Sequence, residues 1–401
     1  MLTVLPDRPT VTQLDLRAEA FPPAPVDGLY VHIPFCFHKC HYCDFYSITK
    51  QTPERMDLFV DRLLAEADLW RDRQIQPRTI FFGGGTPSLL PVDSMRRLIE
   101  GLHVRFDLTN VEEWTVETNP ATTDAAYCRM LRGLGVDRLS FGAQSFDPAE
   151  LKTLERHHDP ADVARSIDIA RNAGFTRLNV DLIFAIPGQS LDSWQRSLDQ
   201  AIALNVPHIS AYNLTYEPNT AMTKRKELGE FQDTPDEIEL AMLHEAYARL
   251  HAAGLDWYEI SNYAANIDNA NSEACRHNLV YWTGRNYVGL GPSAASHIEG
   301  HRFKNRPHLG EWESAVPHAG SGGTLPVIEH EILTLEQRQA ERVMLQLRLR
   351  AGVRWEHGLR ERYADTLARL IQLDFITIDD TGFRLTEKGI PVADGIAGEF
   401  L

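Results

Sequence analysis

Leu29-Tyr30-Val31-His32-Ile33-Pro34-Phe35-Cys36-Phe37-His38-Lys39-Cys40-His41-Tyr42-Cys43 is the stretch on which the reading of this chain turns. An apolar, β-branched run ends at Pro34 and hands over to a loop carrying three cysteines. A strand that delivers its C-terminal loop in this way suits a parallel α/β fold, whose ligands gather beyond the strand ends. Iron–sulfur clusters normally take four thiolates. The fourth candidate position holds Phe45, and Cys128 and Cys275 lie far away in sequence. The spacing therefore predicts a [4Fe-4S] cluster on Cys36, Cys40 and Cys43 with one iron left open. Such an iron can be chelated by the amino and carboxylate groups of S-adenosylmethionine. The alternative on the same residues is a structural zinc site completed by His38 or His41, since Cys40-His41-Tyr42-Cys43 is a two-residue-spaced pair. No second such pair follows downstream.

Outward from this loop, β-rich runs alternate with amphipathic stretches. Residues 29–33, 79–82, 114–117, 138–141, 178–183 and 208–213 read as strands. Segments 54–71, 94–103, 124–134, 161–173, 191–204 and 236–253 place Leu, Ile, Met and Ala at helical spacing. Six such repeats imply parallel strands with crossover helices, either an open α/β sheet or an incomplete (β/α)6 barrel, over residues 28–255. Residues 1–27, with Pro6, Pro9, Pro22, Pro23 and Pro25, read as a flexible lead-in. Residues 256–329, rich in Asn, Gly, Pro and His, read as loops. Within 330–401, helices at 335–349 and 359–373 precede a hairpin around Asp379-Asp380-Thr381-Gly382, as in a small winged-helix-like α+β module.

Composition narrows the function. Lys and Arg number 40 against 56 Asp and Glu, and a net charge of −16 disfavours nucleic acid as a partner. No segment approaches the roughly 20 apolar residues of a membrane span, and no basic-then-apolar leader opens the chain. Five cysteines, three of them clustered, fit a reducing cytoplasm better than a disulfide framework.

Other motifs fall at strand ends. Phe82-Gly83-Gly84-Gly85-Thr86-Pro87 closes the second strand, and its glycines let backbone groups approach a ligand, or simply make a tight turn. It lacks the Gly-Lys-Ser/Thr of a phosphate loop. Glu117 ends the third strand, Gln144 follows the fourth, and Asp181 sits inside the fifth, where an acid among apolar residues needs a partner. Arg156 offers a planar fork for a carboxylate.

The cysteine loop resembles that of the radical SAM superfamily, and Tyr30-Val31-His32-Ile33-Pro34-Phe35-Cys36 resembles the anaerobic coproporphyrinogen III oxidase-like branch across about residues 28 to 310. That resemblance implies S-adenosylmethionine held by Tyr30, Tyr42, Gly84, Gly85, Thr86, Glu117, Gln144, Arg156 and Asp181, with Gly84, Gly85 and Thr86 at its methionine end. Two departures from the oxidase stand out: Phe45 replaces its further cysteine, and the N-terminal arm is short. In addition, Arg276-His277-Asn278-Leu279-Val280-Tyr281-Trp282 resembles the His-Asn-x-x-Tyr-Trp signature of the heme chaperone branch, HemW. The resemblance implies heme binding at His277, Asn278, Tyr281 and Trp282, with transfer to an acceptor such as a respiratory enzyme. On a helix His277 and Tyr281 share one face. His277 is then the candidate axial ligand and Cys275 its thiolate alternative, against a purely structural aromatic cluster. No residue is assigned a catalytic role. An oxygen-independent coproporphyrinogen III oxidase, or another radical SAM enzyme acting on porphyrins, is the second reading. A zinc-stabilised winged-helix regulator is the third.

Overall fold

The structure is a computed structural model and describes residues 14–120, 122–270, 272–318 and 322–401. Its centre is six strands, β1 (Gly28–Ile33), β2 (Thr79–Gly84), β3 (Glu113–Thr118), β4 (Arg138–Gln144), β5 (Arg177–Phe184) and β6 (His208–Asn213), each parallel to the next. Helices Pro53–Asp68, Val92–Arg105, Ala125–Gly133, Pro160–Asn172, Leu191–Ala203 and Asp236–Ala252 alternate with them. Local chemistry sets where several of these helices begin. Side-chain oxygens of Thr52, Asp124, Asp159 and Ser190 accept the first free backbone N–H groups, and Pro53 and Pro160 occupy first-turn positions that need no donor.

The strands have two unlike faces. Leu29, Val31, Ile33, Ile80, Phe82, Val116, Leu139, Phe141, Leu178, Val180 and Ile209 are buried in the main hydrophobic core with residues of the helices. The alternate positions carry Tyr30, His32, Glu117, Ser140, Asn179, Asp181, Ser210 and Tyr212. A parallel sheet covered on both sides is apolar on both. A polar second face therefore marks a wall built for a ligand.

Residues 256–329, expected to be loops, hold six strands and two short helices, Arg276–Trp282 and Leu309–Ala315, among the described residues. β7 (Asp256–Glu259) and β8 (Asn262–Ala264) add antiparallel strands beyond β6. β9 (Tyr287–Leu290) pairs parallel to β1 on the side away from β2, and β10 (Ala295–Ile298), β11 (His301–Asn305) and β12 (Val327–Ile332) extend that edge antiparallel. The full order is β12-β11-β10-β9-β1-β2-β3-β4-β5-β6-β8-β7, an open sheet. These strands are only three to six residues long, and β11 and β12 are interleaved with His, Arg, Lys and Glu, so those two leave no apolar run to detect.

The lead-in is also corrected from Leu14 onward; residues 1–13 lie outside the described part. Phe21 stacks on Phe303 and Trp70 at ring-centroid distances of 4.3 and 5.9 Å, and Arg73 donates to the carbonyls of Phe21 and Pro22 at 2.8 and 2.6 Å. Arg73 thus anchors carbonyls that the proline-rich segment has no strand partner for.

The C-terminal module has the expected order. Helix Leu335–Leu347, β13 (Val353–Arg354), helices Leu359–Arg362 and Ala364–Gln372, and the hairpin β14 (Ile376–Ile378) and β15 (Gly382–Leu385) enclose a separate core, with the sheet ordered β13-β15-β14.

Candidate functional site

The loop after β1 is held at both ends. Cys36 N–H donates to Ile48 O at 2.9 Å and Ile48 N–H to Pro34 O at 2.7 Å, while Gly85 and Thr86 N–H donate to Ile33 O and Phe35 O at 2.8 and 2.7 Å. A Cβ on Gly85 would stand 2.6 Å from Phe35 O and 2.8 Å from Ile33 O, and Gly84 has φ +103° against the His32 ring. The missing side chains are thus used inward, to let the end of β2 close on the cysteine loop.

Cys36, Cys40 and Cys43 are half-buried and free of disulfides. Thr86 Oγ1 donates toward Cys36 Sγ at 3.8 Å, and Arg156 Nη1 toward Cys40 Sγ at 3.7 Å. Burial pushes the Cys36 thiol up and that of Cys43 to about 11, so thiolates here need a cation to compensate them. The residues fit a cluster better than a single ion. Zinc with bonds of 2.3 Å brings its sulfurs within about 3.8 Å of one another. The three sulfurs do not form a set within 4.8 Å. A fourth thiol is not at hand: Cys128 is buried in helix Ala125–Gly133, and Cys275 Sγ donates to Glu113 Oε1 at 3.3 Å at the opposite end of the strands.

Beside the cysteines, the polar wall brings the expected S-adenosylmethionine residues together. Glu117 Oε2 accepts from Gly84 N–H at 3.2 Å, and burial, reinforced by the nearby Asp181 carboxylate, pushes it up to about 8. Asp181 accepts from Ser140 Oγ at 3.0 Å and Asn179 Nδ2 at 2.8 Å; burial still raises it above the usual carboxylate range. Arg156 donates to Gly142 O, and a Cβ on Gly142 would stand 2.8 Å from the side-chain amide nitrogen of Gln144. Gln144 itself is left-handed, φ 67°, which aims it off the strand. Tyr30 Oη lies 3.0 Å from His32 Nδ1, and Tyr42 packs near a small cluster with Leu154, Ile183 and Met222. Sequence reasoning missed Ser140, Asn179 and Ser210, which hold Asp181, and Tyr212, which shares this wall and is 39% exposed. The available signal was polar residues at alternate positions of otherwise apolar strands.

The His-Asn-x-x-Tyr-Trp segment is helix Arg276–Trp282, and it sits at the other end of the strands. Glu113 accepts from the backbone N–H groups of Arg276 and His277 at 3.1 and 3.0 Å, a carboxylate holding a helix start. His277 is fully buried. Its Nδ1 lies 2.8 Å from Thr79 Oγ1 and its Nε2 2.8 Å from Tyr281 Oη, and its ring stacks on Phe81 at 5.2 Å. Burial lowers its pKa to about 4, so it is a neutral imidazole. The expected pairing of His277 with Tyr281 is present. The expected open imidazole is not, because both ring nitrogens are engaged. Cys275 is likewise no free ligand: burial beside Glu113 pushes it to about 12. Asn278 is half-buried, and Trp282 turns to the C-terminal module, where the Arg348 guanidinium lies 4.8 Å over its ring. The four residues therefore form a floor and a joint, not one flat platform.

The family model of the Radical SAM superfamily matches residues 30–201, and that of the HemN C-terminal domain residues 333–392. Coproporphyrinogen III oxidase from Escherichia coli, itself described as a radical SAM enzyme, shares the fold with a TM-score of 0.81 at 24% identity, covering 96% of this chain and 92% of that one. Strand order, cysteine loop and these matches define a radical SAM protein. The heme chaperone HemW of Mycobacterium tuberculosis H37Rv is 36% identical over 387 residues, 93% of this chain and 94% of that protein. That of Bacillus subtilis is 32% identical over 382 residues, 93% and 98% respectively. This chain belongs to the heme chaperone HemW family. Among the described residues no helix is long and apolar enough to cross a membrane.

Proposed function

We propose that this protein carries heme to an acceptor protein such as a respiratory enzyme, and that a [4Fe-4S] cluster on Cys36, Cys40 and Cys43 and S-adenosylmethionine on the adjoining wall organise it for that task. The observation that carries the cofactor part is the convergence of three thiols, two of them contacted by donor side chains, with an acidic wall at the same strand ends. When bound, the cluster and its sulfonium ligand supply one-electron chemistry. The chain's own residues bind and orient. Glu117 and Asp181 suit an ammonium or ribose hydroxyls, Arg156 suits a carboxylate, and Gln144 can pair with a hydroxyl. Tyr30, Tyr42, Gly84, Gly85 and Thr86 complete that wall. Free thiols support a reducing compartment, the cytoplasm, as the place of work.

Family membership supports the heme part. His277 and Tyr281 serve it by holding helix Arg276–Trp282 in place, with Asn278 and Trp282 on its other faces. His277 becomes an axial ligand only where Thr79 and Tyr281 have released it.

Anaerobic reconstitution tests the reading. Iron and sulfide should approach four each per chain and fall together in Cys36→Ser, Cys40→Ser or Cys43→Ser, with loss of S-adenosylmethionine binding. Hemin titration of the same samples should saturate. Zinc without sulfide, or turnover of coproporphyrinogen with a strong reductant, would overturn the respective halves of the reading.

A further inference from the structure

On the rim of the cysteine loop lies a second set of ligating groups. His38 belongs to that loop, and Glu155 and His157 flank Arg156, which reaches Cys40. His38 Nε2 stands 3.5 Å from Glu155 Oε2, and His157 Nε2 stands 4.0 Å from the same oxygen. All three ligand atoms lie within 4.8 Å of one another, and no other such set of three occurs among the described residues. The two imidazole rings meet edge to face, centroids 4.6 Å apart. In a tetrahedral site with bonds of 2.0–2.1 Å, neighbouring ligand atoms are about 3.4 Å apart. One edge therefore fits closely, and a shift of about half an ångström by an exposed side chain closes the second.

We propose that His38, Glu155 and His157 bind one divalent transition-metal ion of the zinc type, with its fourth position open to solvent. A plain surface ion pair needs one imidazole and one carboxylate. Here two imidazole nitrogens converge on a single carboxylate oxygen, an arrangement that a divalent cation satisfies at all three atoms. Imidazole and carboxylate together suit zinc and its neighbours better than magnesium or calcium. The ion would tie the cysteine loop to the loop that carries Arg156. This inference does not rest on heme carriage.

The test is zinc sulfate titrated against a chromophoric chelator into anaerobic, cluster-loaded full-length protein, with iron, sulfide and zinc counted. One zinc per chain should bind with iron and sulfide unchanged, and the thermal midpoint should rise. His157→Ala should weaken binding by about 100-fold or more and Glu155→Gln by roughly tenfold, with cluster content intact. No zinc uptake by the wild type, uptake matched by loss of cluster iron, or equal affinity in His157→Ala would each overturn the proposal.

Discussion

At the residue scale, the strongest constraint is a pair of acids sharing one buried wall. Asp181 has three polar neighbours to lean on, whereas Glu117 has a single backbone N–H, and burial pushes it up to about 8 from an ordinary 4.5. A carboxyl whose folded pKa is raised binds its proton more tightly when folded. The stability linked to it is present below 4.5 and is lost as pH rises toward about 8. Glu117→Gln keeps the shape and removes the titration. Its stability relative to wild type should therefore increase by roughly 1–3 kcal/mol between about pH 5 and about pH 8.5, read from denaturant midpoints of the cofactor-free chain. A gain independent of pH would show that Glu117 is not the group responsible. Above about pH 8, where the Glu117 carboxyl is ionised and can balance an ammonium, the same variant should bind S-adenosylmethionine roughly tenfold more weakly.

At the scale of elements, helix Arg276–Trp282 shows what a motif can and cannot announce. Its sequence revealed that His277 and Tyr281 would meet, because residues four apart share a face. It could not reveal that Thr79, nearly two hundred positions earlier, would take the other ring nitrogen, since that contact exists only after β2 is in place. The six core strands were legible for the opposite reason: each is an apolar run read locally, as at Val31 and Ile33 or at Val180 and Leu182. β9 to β12 were illegible because their partners supply the order. His301, Arg302 and Lys304 become strand only by pairing with Ile332, Glu331 and Glu329. The cysteine loop was readable from spacing alone, whereas Gly84 and Gly85 were read as letting backbone approach a ligand or as a tight turn, and the close approach of Gly85 to Ile33 and Phe35 could not be read from them. His277→Ala leaves a cavity and takes a ring partner from the Thr79 and Tyr281 hydroxyls, so it should cost about 2–4 kcal/mol while sparing cluster absorbance. The Soret band of hemin-loaded protein should stay where it is in the wild type. A shift to a different ligation state would restore His277 as the axial ligand.

At the scale of the whole molecule, the C-terminal module has its own core and meets the sheet at a junction that includes Arg348 and the ion pairs Arg338–Glu299 and Arg302–Glu341. Arg348 lies over the Trp282 ring at 4.8 Å, 3.7 Å from Glu259 and 3.4 Å from Asp394. Backbone bonds join the same junction, from Ile260 N–H to Arg348 O at 3.2 Å and from Arg350 N–H to Tyr258 O at 3.0 Å. Glu259 is completely buried, with its Oε2 lacking a hydrogen bond, and burial raises its pKa against the pull of Asn262 and Arg348. Removing the guanidinium therefore strands a buried acid as well as an aromatic contact. Arg348→Met preserves most of the volume, and it should still cost about 2–4 kcal/mol and separate the module's melting from that of the sheet in calorimetry. Glu259→Gln in the same chain removes the stranded charge, so the double variant should recover more than half of that loss. Additive losses would mean that the two side chains do not act as a pair. Recovery would identify Arg348 and Glu259 as a coupled pair at the junction between the sheet and the module.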